Sequence, residues 1–65
     1  MKVRYFADTD TLLIEFREAL VVETRDLDEN TVLDLDASGN VCAITVEHAS
    51  LSAGAPAFSY EQVAA

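Results

Sequence analysis

Apolar residues recur along the first fifty positions with a period of two rather than 3.6, in short runs separated by polar connectors. That alternation predicts strands, because successive side chains of an extended chain point to opposite faces. The plainest case lies between Thr31 and Glu47, where TVLDLD and VCAITVE flank ASGN. With Ala37 to Asn40 as the loop, Asp36 falls opposite Val41, Leu35 opposite Cys42 and Leu33 opposite Ile44. Leu33, Leu35, Cys42, Ile44 and Val46 then share one face; Asp34, Asp36, Ala43, Thr45 and Glu47 share the other. A slip of one residue would set Asp34 beside Ile44 and take a carboxylate out of water without a partner. The connector fits this register: Asp36 is placed to bond the turn ahead of it, and Gly39 or Asn40 to adopt a positive φ.

The same reading pairs Lys2–Phe6 with Thr11–Arg17 across a loop at Ala7–Asp10. Val3 then faces Ile14 and Tyr5 faces Leu12, with Met1 within reach of Phe16. Lys2, Arg4, Phe6, Leu13 and Glu15 lie on the opposite face, Lys2 directly across from Glu15. Such a surface pair is worth about 0–1 kcal/mol. A third strand is expected over Val21–Leu27 in either of two registers: Val22 and Thr24 inward with Asp26, or Val21 and Leu27 inward with Glu23 and Arg25. A bulge within Thr24–Asp26 would reconcile them. Beyond His48 the chain turns small and breaker-rich, and Ala49–Ala57, with Gly54 and Pro56, reads as irregular. Ser59-Tyr60-Glu61-Gln62 has capping-box spacing and predicts a short helix over Tyr60–Ala65, formed only if Phe58, Tyr60 or Val63 docks.

These elements predict an all-β fold (or β-rich α+β): a single antiparallel meander sheet of four to five strands in sequential order, with a short C-terminal helix. Residues 1–50 form the sheet domain and 51–65 the tail. The apolar face is Val3, Tyr5, Leu12, Ile14, Phe16, Leu33, Leu35, Ile44 and Val46. One sheet has two faces, and so short a tail covers only part of this one. Two such sheets packed face to face would complete each other's core, so a homodimer is expected; the alternative is pairing through edge strands, with Leu13 and Phe6 joining a secondary contact.

Length sharpens that expectation. At 65 residues apolar burial and ordering entropy nearly cancel, and chains of this size usually add disulfides, a metal or a partner subunit. Cys42 is the only cysteine, so no disulfide forms within the chain. A lone thiol fits a reducing, cytoplasmic setting. The N-terminal MKVRYFADTD has no apolar core of a signal peptide, and no apolar run approaches membrane-spanning length. Twelve acids against four bases give a net charge of −8. That balance argues against nucleic acid and against anionic membrane surfaces, and favours encounter with a basic protein. The plainer reading is that the acids only keep a small protein soluble.

In order and spacing, Tyr5, the Asp8-x-Asp10-x-Leu12 turn, Glu23-Thr24-Arg25, Leu33-x-Leu35-Asp36, Gly39-Asn40, Ile44-x-Val46 and Ala49-Ser50 resemble the small YuzE-like family, domain of unknown function 2283. The resemblance spans about residues 1–50. It implies a compact antiparallel fold and no catalytic residues. It also implies a setting beside small toxin-like proteins. The chain departs from the family pattern at Ala43, where glycine is common, and in its alanine-rich tail.

Candidate chemistry is sparse. Asp34, Asp36 and Ser38 with Gly39 imitate positions 1, 3, 5 and 6 of an EF-hand loop, but position 12 is Thr45, where a bidentate glutamate belongs, and the flanks are strands. A hairpin turn accounts for the pattern, and no calcium is expected. His48 and Cys42 lie six apart on one strand, about 20 Å, too far to share a metal. His48 reads as a strand-end residue and Cys42 as a small core residue. A carboxylate pair such as Glu15 with Glu47 would need a cleft to raise one pKa, and a small meander offers little room for one. No enzyme, cofactor or metal is expected. The expected function is a protein-binding module acting as a homodimer, with Asp34, Asp36 and Glu47 on the outer face as the partner-binding residues. The alternatives are a purely structural dimer and an antitoxin-like partner of a small basic toxin-like protein.

Overall fold

The predicted strands all form, and they lie in one antiparallel sheet in a computed structural model that describes residues 1–52 and 61–64. The strands are β1 (Lys2–Phe6), β2 (Thr11–Glu15), β3 (Glu23–Asp28), β4 (Thr31–Leu35) and β5 (Val41–Glu47), followed by a single helical turn, α1 (Ala49–Ser52). The all-β, single-sheet expectation holds. The strand order is β1-β2-β5-β4-β3 rather than sequential. A strict meander would seat β3 beside β2, but β5 takes that place. β5, VCAITVE, carries three β-branched apolar side chains, Val41, Ile44 and Val46, that benefit from a neighbour on each side. β3, ETRDLD, is exposed along its whole length and goes to an edge, where its charges stay solvated and guard against stray pairing.

The first hairpin pairs as predicted, Lys2 with Glu15, Val3 with Ile14 and Tyr5 with Leu12. The central hairpin keeps Leu33 opposite Ile44 and Asp34 opposite Ala43, and then departs. Leu35 pairs with Val41 instead of Cys42, because β5 bulges there. The Cys42 carbonyl accepts from Phe16 N–H (2.7 Å) and Arg17 N–H (3.4 Å), which steers the chain leaving β2. Asp36 is not paired with Val41. Its N–H donates to the Asn40 carbonyl and its own carbonyl accepts from Gly39 N–H, both at 3.0 Å. Gly39 sits at φ 83°, the left-handed region open to glycine at little cost.

β3 begins at Glu23, two residues later than expected, after Val22 N–H has donated to the Leu35 carbonyl (2.9 Å). Its bulge falls between Asp26 and Asp28, not within Thr24–Asp26. Asp28 is drawn into the turn, where its carboxylate accepts from Asn30 N–H (2.9 Å), and Leu27 is left as the extra residue. Glu23 and Arg25 therefore face the apolar side, opposite Leu35 and Leu33, and form an ion pair of 2.9 Å there.

The tail differs from expectation as well. The helical turn occupies Ala49–Ser52, within a stretch read as irregular, and residues 61–64 carry no helix. Tyr60 and Ala65, the ends of the predicted helix, and residues 53–57 lie outside the described residues. Among the described residues the buried apolar set is small: Leu35, Cys42, Ala43 and Ala49, with no large side chain fully enclosed. Phe16, expected on the apolar face, lies beyond the end of β2 and is exposed.

Candidate functional site

Pairing registers set the outer face out in rows. One row runs Lys2, Glu15, Ala43, Asp34, Thr24 across all five strands; the next runs Arg4, Leu13, Thr45, Val32, Asp26. Glu47 lies further along β5, opposite Thr11. Asp34 and Glu47 thus share the outer face, on different strands, Glu47 four residues beyond Ala43 on β5 and so about 13 Å from Asp34's row. Asp34 accepts from the Thr24 hydroxyl (3.1 Å) through Oδ1.

Asp36 does not join them. Its Oδ1 accepts from the N–H groups of both Ser38 and Asn40 (2.9 Å each), and its Oδ2 lies 3.9 Å from Arg17 Nη1. The Asn40 N–H, followed by the Ser38 N–H and the Arg17 charge, holds this carboxyl below its ordinary range against the opposing pull of partial burial. Asp36 is a turn residue, and the three predicted partner-binding residues do not form one patch.

The connection from β2 to β3 does form a concave feature. β2 ends and β3 starts at the same end of the sheet, on either side of the β4–β5 pair, so residues 16–22 must cross that pair. They cross on the outer face and roof a cleft of about 380 Å³. Leu13 and Ala43 line it from the strands, and Ala19 and Val21 from the connection. Ala43 is buried. A small side chain here leaves room for the crossing chain, and this is the physical sense of the small residue at this position. Glu15, Glu18 and Asp34 stand around the apolar lining. Among the described residues none of these three carboxylates has a cation within ion-pair distance.

A second cluster ties the tail to the first hairpin. Asp10, at φ 53°, accepts from the Tyr5 hydroxyl (2.6 Å) and the Ser50 hydroxyl (2.7 Å), and its two oxygens share the Ser50 N–H (3.1 and 3.3 Å). Its carbonyl accepts from Ala49 N–H (2.9 Å). The Tyr5 hydroxyl and then the Ser50 hydroxyl lower the Asp10 pKa, with smaller help from the Ser50 N–H and the charge of His48; the same bond raises that of Tyr5. His48 shares the left-handed conformation, φ 53°, and turns the chain from β5 into α1. Because the Ser50 hydroxyl donates to a carboxylate and not to an imidazole, the cluster is a staple rather than a nucleophile–base pair. Among the described residues no three of His, Cys, Asp and Glu are grouped to hold a metal ion.

The model of the family described as a protein of unknown function, DUF2283, matches residues 2–50. The chain belongs to this family. No curated protein and no solved structure matches the chain. The matched span contains every strand of the described residues and closes on Ser50, so the Tyr5–Asp10–Ser50 staple of this chain lies within it. Residue-by-residue reading passed over this staple, since its ends are 40 positions apart. The one available signal was the joint occurrence of Tyr5, Asp10 and Ser50 among the family-like positions. The cleft was missed for a different reason: it depends on the path of residues 16–22, which follows from a strand order that alternation does not specify. Among the described residues no helix is long and apolar enough to cross a membrane.

Proposed function

We propose that this DUF2283 chain is a non-catalytic protein-binding module that works in the cytoplasm as a homodimer. The carrying observation is the state of its apolar face. Val3, Ile14, Ile44 and Leu33 form one continuous row across four strands, Tyr5, Leu12 and Val46 lie in the next, and each of these side chains is only half-buried. A second copy is the occupant that fits. Identical sheets present self-complementary surfaces about a two-fold axis and pack about 10 Å apart. Charge on this face does not exclude the same occupant. Each chain carries −8, but the ion-paired Glu23 and Arg25 add no net charge to the apolar face, so two acidic chains can meet there. The outer faces then point outward on both sides of the dimer and offer their carboxylates to a basic protein. Restraint of a small basic toxin-like protein is the form of partnership to which the family resemblance points.

Light scattering across a salt series tests the dimer. The expected mass at micromolar concentration is twice the 7.1 kDa of one chain, and it does not fall as salt is added, because the contact is apolar and salt screens the repulsion between two acidic chains. A mass of one chain, or a dimer that separates as salt is added, overturns the reading.

A further inference from the structure

We propose that the cleft beneath residues 16–22 receives one arginine side chain of the basic partner; this deepens the reading above and rests on its claim that the outer face meets such a protein. The cleft has the two parts that an arginine needs. Its lining of Leu13, Ala43, Ala19 and Val21 suits the apolar stem of the side chain. Its acids suit the head. Glu15 and Asp34 are both cross-strand partners of Ala43, one on each side. At the usual strand spacing their Cα atoms are therefore roughly 10 Å apart, with only a methyl group between them. A planar guanidinium over Ala43 has donors on opposite edges and reaches one carboxylate on each side through charge-assisted bonds of about 2.8 Å. An ammonium group is a point charge and satisfies one side at a time.

Glu18 approaches from the roof, so three separate elements supply acceptors, which suits a group with five N–H donors. The one base of the cleft does not occupy this place. Arg17 is half-exposed and directed to Asp36 in the neighbouring turn. Asp34 receives Thr24 on Oδ1 and keeps Oδ2 for a further donor. The preference is for an organic cation on a stem, not a metal ion, because the carboxylates flank an apolar floor instead of converging on one point.

The test uses the full chain, labelled with nitrogen-15, and two capped tripeptides: acetyl-Gly-Arg-Gly-amide and its counterpart with citrulline, the neutral isostere of arginine. At low ionic strength the arginine peptide should give saturable shifts at the amides of Leu13, Glu15, Ala19, Val21 and Ala43. The citrulline peptide should bind more weakly. Glu15→Gln and Glu18→Gln should each raise the Kd by about two- to fivefold, whereas Asp8→Asn in the distant turn leaves it unchanged. Glu18 is exposed in the connection, so Glu18→Gln carries the comparison even if Glu15→Gln disturbs the sheet. Equal binding of the two peptides, or shifts spread over all the acids without saturation, overturns the inference. Poly-L-lysine added to the same protein separates the two claims. Salt-sensitive association with the polymer, without response of the cleft to the arginine peptide, sinks the arginine site and leaves the basic-partner reading standing. A cleft response without polymer association supports the site and removes the broader acidic-face reading.

Discussion

The two faces of this sheet are built by the same strands and the same hydrogen bonds, offset by one residue, yet they fail to be covered in different ways. On the apolar face, the row Val3, Ile14, Ile44, Leu33 ends in Arg25, and every apolar member is half-buried. On the outer face, the row Lys2, Glu15, Ala43, Asp34, Thr24 is polar except at its centre, and that centre is roofed by the chain's own connection. Polarity therefore follows position across the sheet as well as face. Charges gather on the edge strands β1 and β3, and small or apolar groups gather on β5. A large face left half-buried asks for another surface of its own kind. A small roofed cleft ringed by carboxylates asks for one side chain.

The largest expected contrast lies along a single strand. Ile44→Asp places an unpaired carboxylate in the middle of the apolar row and removes a core side chain, a loss on the order of 4 kcal/mol. A domain of this size holds about 3–5 kcal/mol in total, so the variant should be unfolded by circular dichroism at 25 °C. Glu47→Lys, on the outer side of the same strand, should shift stability by no more than about 0.5 kcal/mol. A folded Ile44→Asp protein would show that the two faces have been assigned the wrong way round. Truncations should show the same contrast at smaller scale. Leu35→Ala removes a buried side chain and should cost about 2–4 kcal/mol, while Leu13→Ala, half-buried beside the cleft, should cost about 1 kcal/mol. Thermal melts of the two variants in parallel measure the difference, and equal losses would mean that the outer face is as much core as the apolar one.

How far each face was legible follows from the range of the interactions that make it. Alternation alone placed Val3 against Ile14 and Leu33 against Ile44, because period-two patterning and turn chemistry are local properties. The Asp36 turn was legible for the same reason, since an aspartate two and four residues before the N–H groups it accepts from is a local motif. Its consequence was not: by capping the turn, Asp36 leaves the outer face, and Leu35 slips to Val41 as β5 bulges. Strand order was out of reach, because β2 beside β5 and β2 beside β3 satisfy the same alternation. The choice is made by which strand gains most from two neighbours. The Tyr5–Asp10–Ser50 staple and the cleft both depend on that choice, and neither can be read from spacing.

The staple offers a sharper comparison with the outer face, of smaller effect. Asp10→Asn keeps the size of the side chain but removes the charge that gathers the Tyr5 hydroxyl, the Ser50 hydroxyl and the Ser50 N–H. The sheet should survive while α1 loosens from the first hairpin. Amide hydrogen exchange at Ala49 and Ser50 should speed up markedly, and exchange in β4 and β5 should change little. Asp34→Asn removes a charge bonded only to the exposed Thr24 hydroxyl, and should leave exchange throughout the chain near its original rates. Equal protection at Ser50 in the Asp10→Asn protein would mean that the Ala49 N–H bond to the Asp10 carbonyl holds α1 without the carboxylate.

Lowering the pH makes the smallest change, through the same bonds. The carboxyls of Asp10, Asp28 and Asp36 are all held below the ordinary value of about 3.9: Asp10 first by the Tyr5 hydroxyl, Asp28 first by the Asn30 N–H and Asp36 first by the Asn40 N–H. A depressed carboxyl contributes stability in full above its unfolded pKa and loses it as the pH falls through its folded pKa. Stability should therefore be level with respect to these groups from neutral pH down to about 4, and decline below that. Tyr5 runs the other way. Its pKa is raised because the phenol donates to Asp10, so its contribution is complete below about 10 and fades as the pH climbs through the raised value. Asp28 is exposed and the other three groups keep partial contact with water, so each effect is small, and site-resolved titration is the measurement that separates them. Carbon-detected NMR of the side-chain carboxyls should place the midpoints of Asp10, Asp28 and Asp36 below those of the same residues in the acid-unfolded chain. In Ser50→Ala the Asp10 midpoint should rise toward the ordinary value, while Asp36, bonded only within its own turn and to Arg17, stays where it was. An Asp10 midpoint that ignores Ser50→Ala would assign its depression to Tyr5 alone and detach α1 from the acid response.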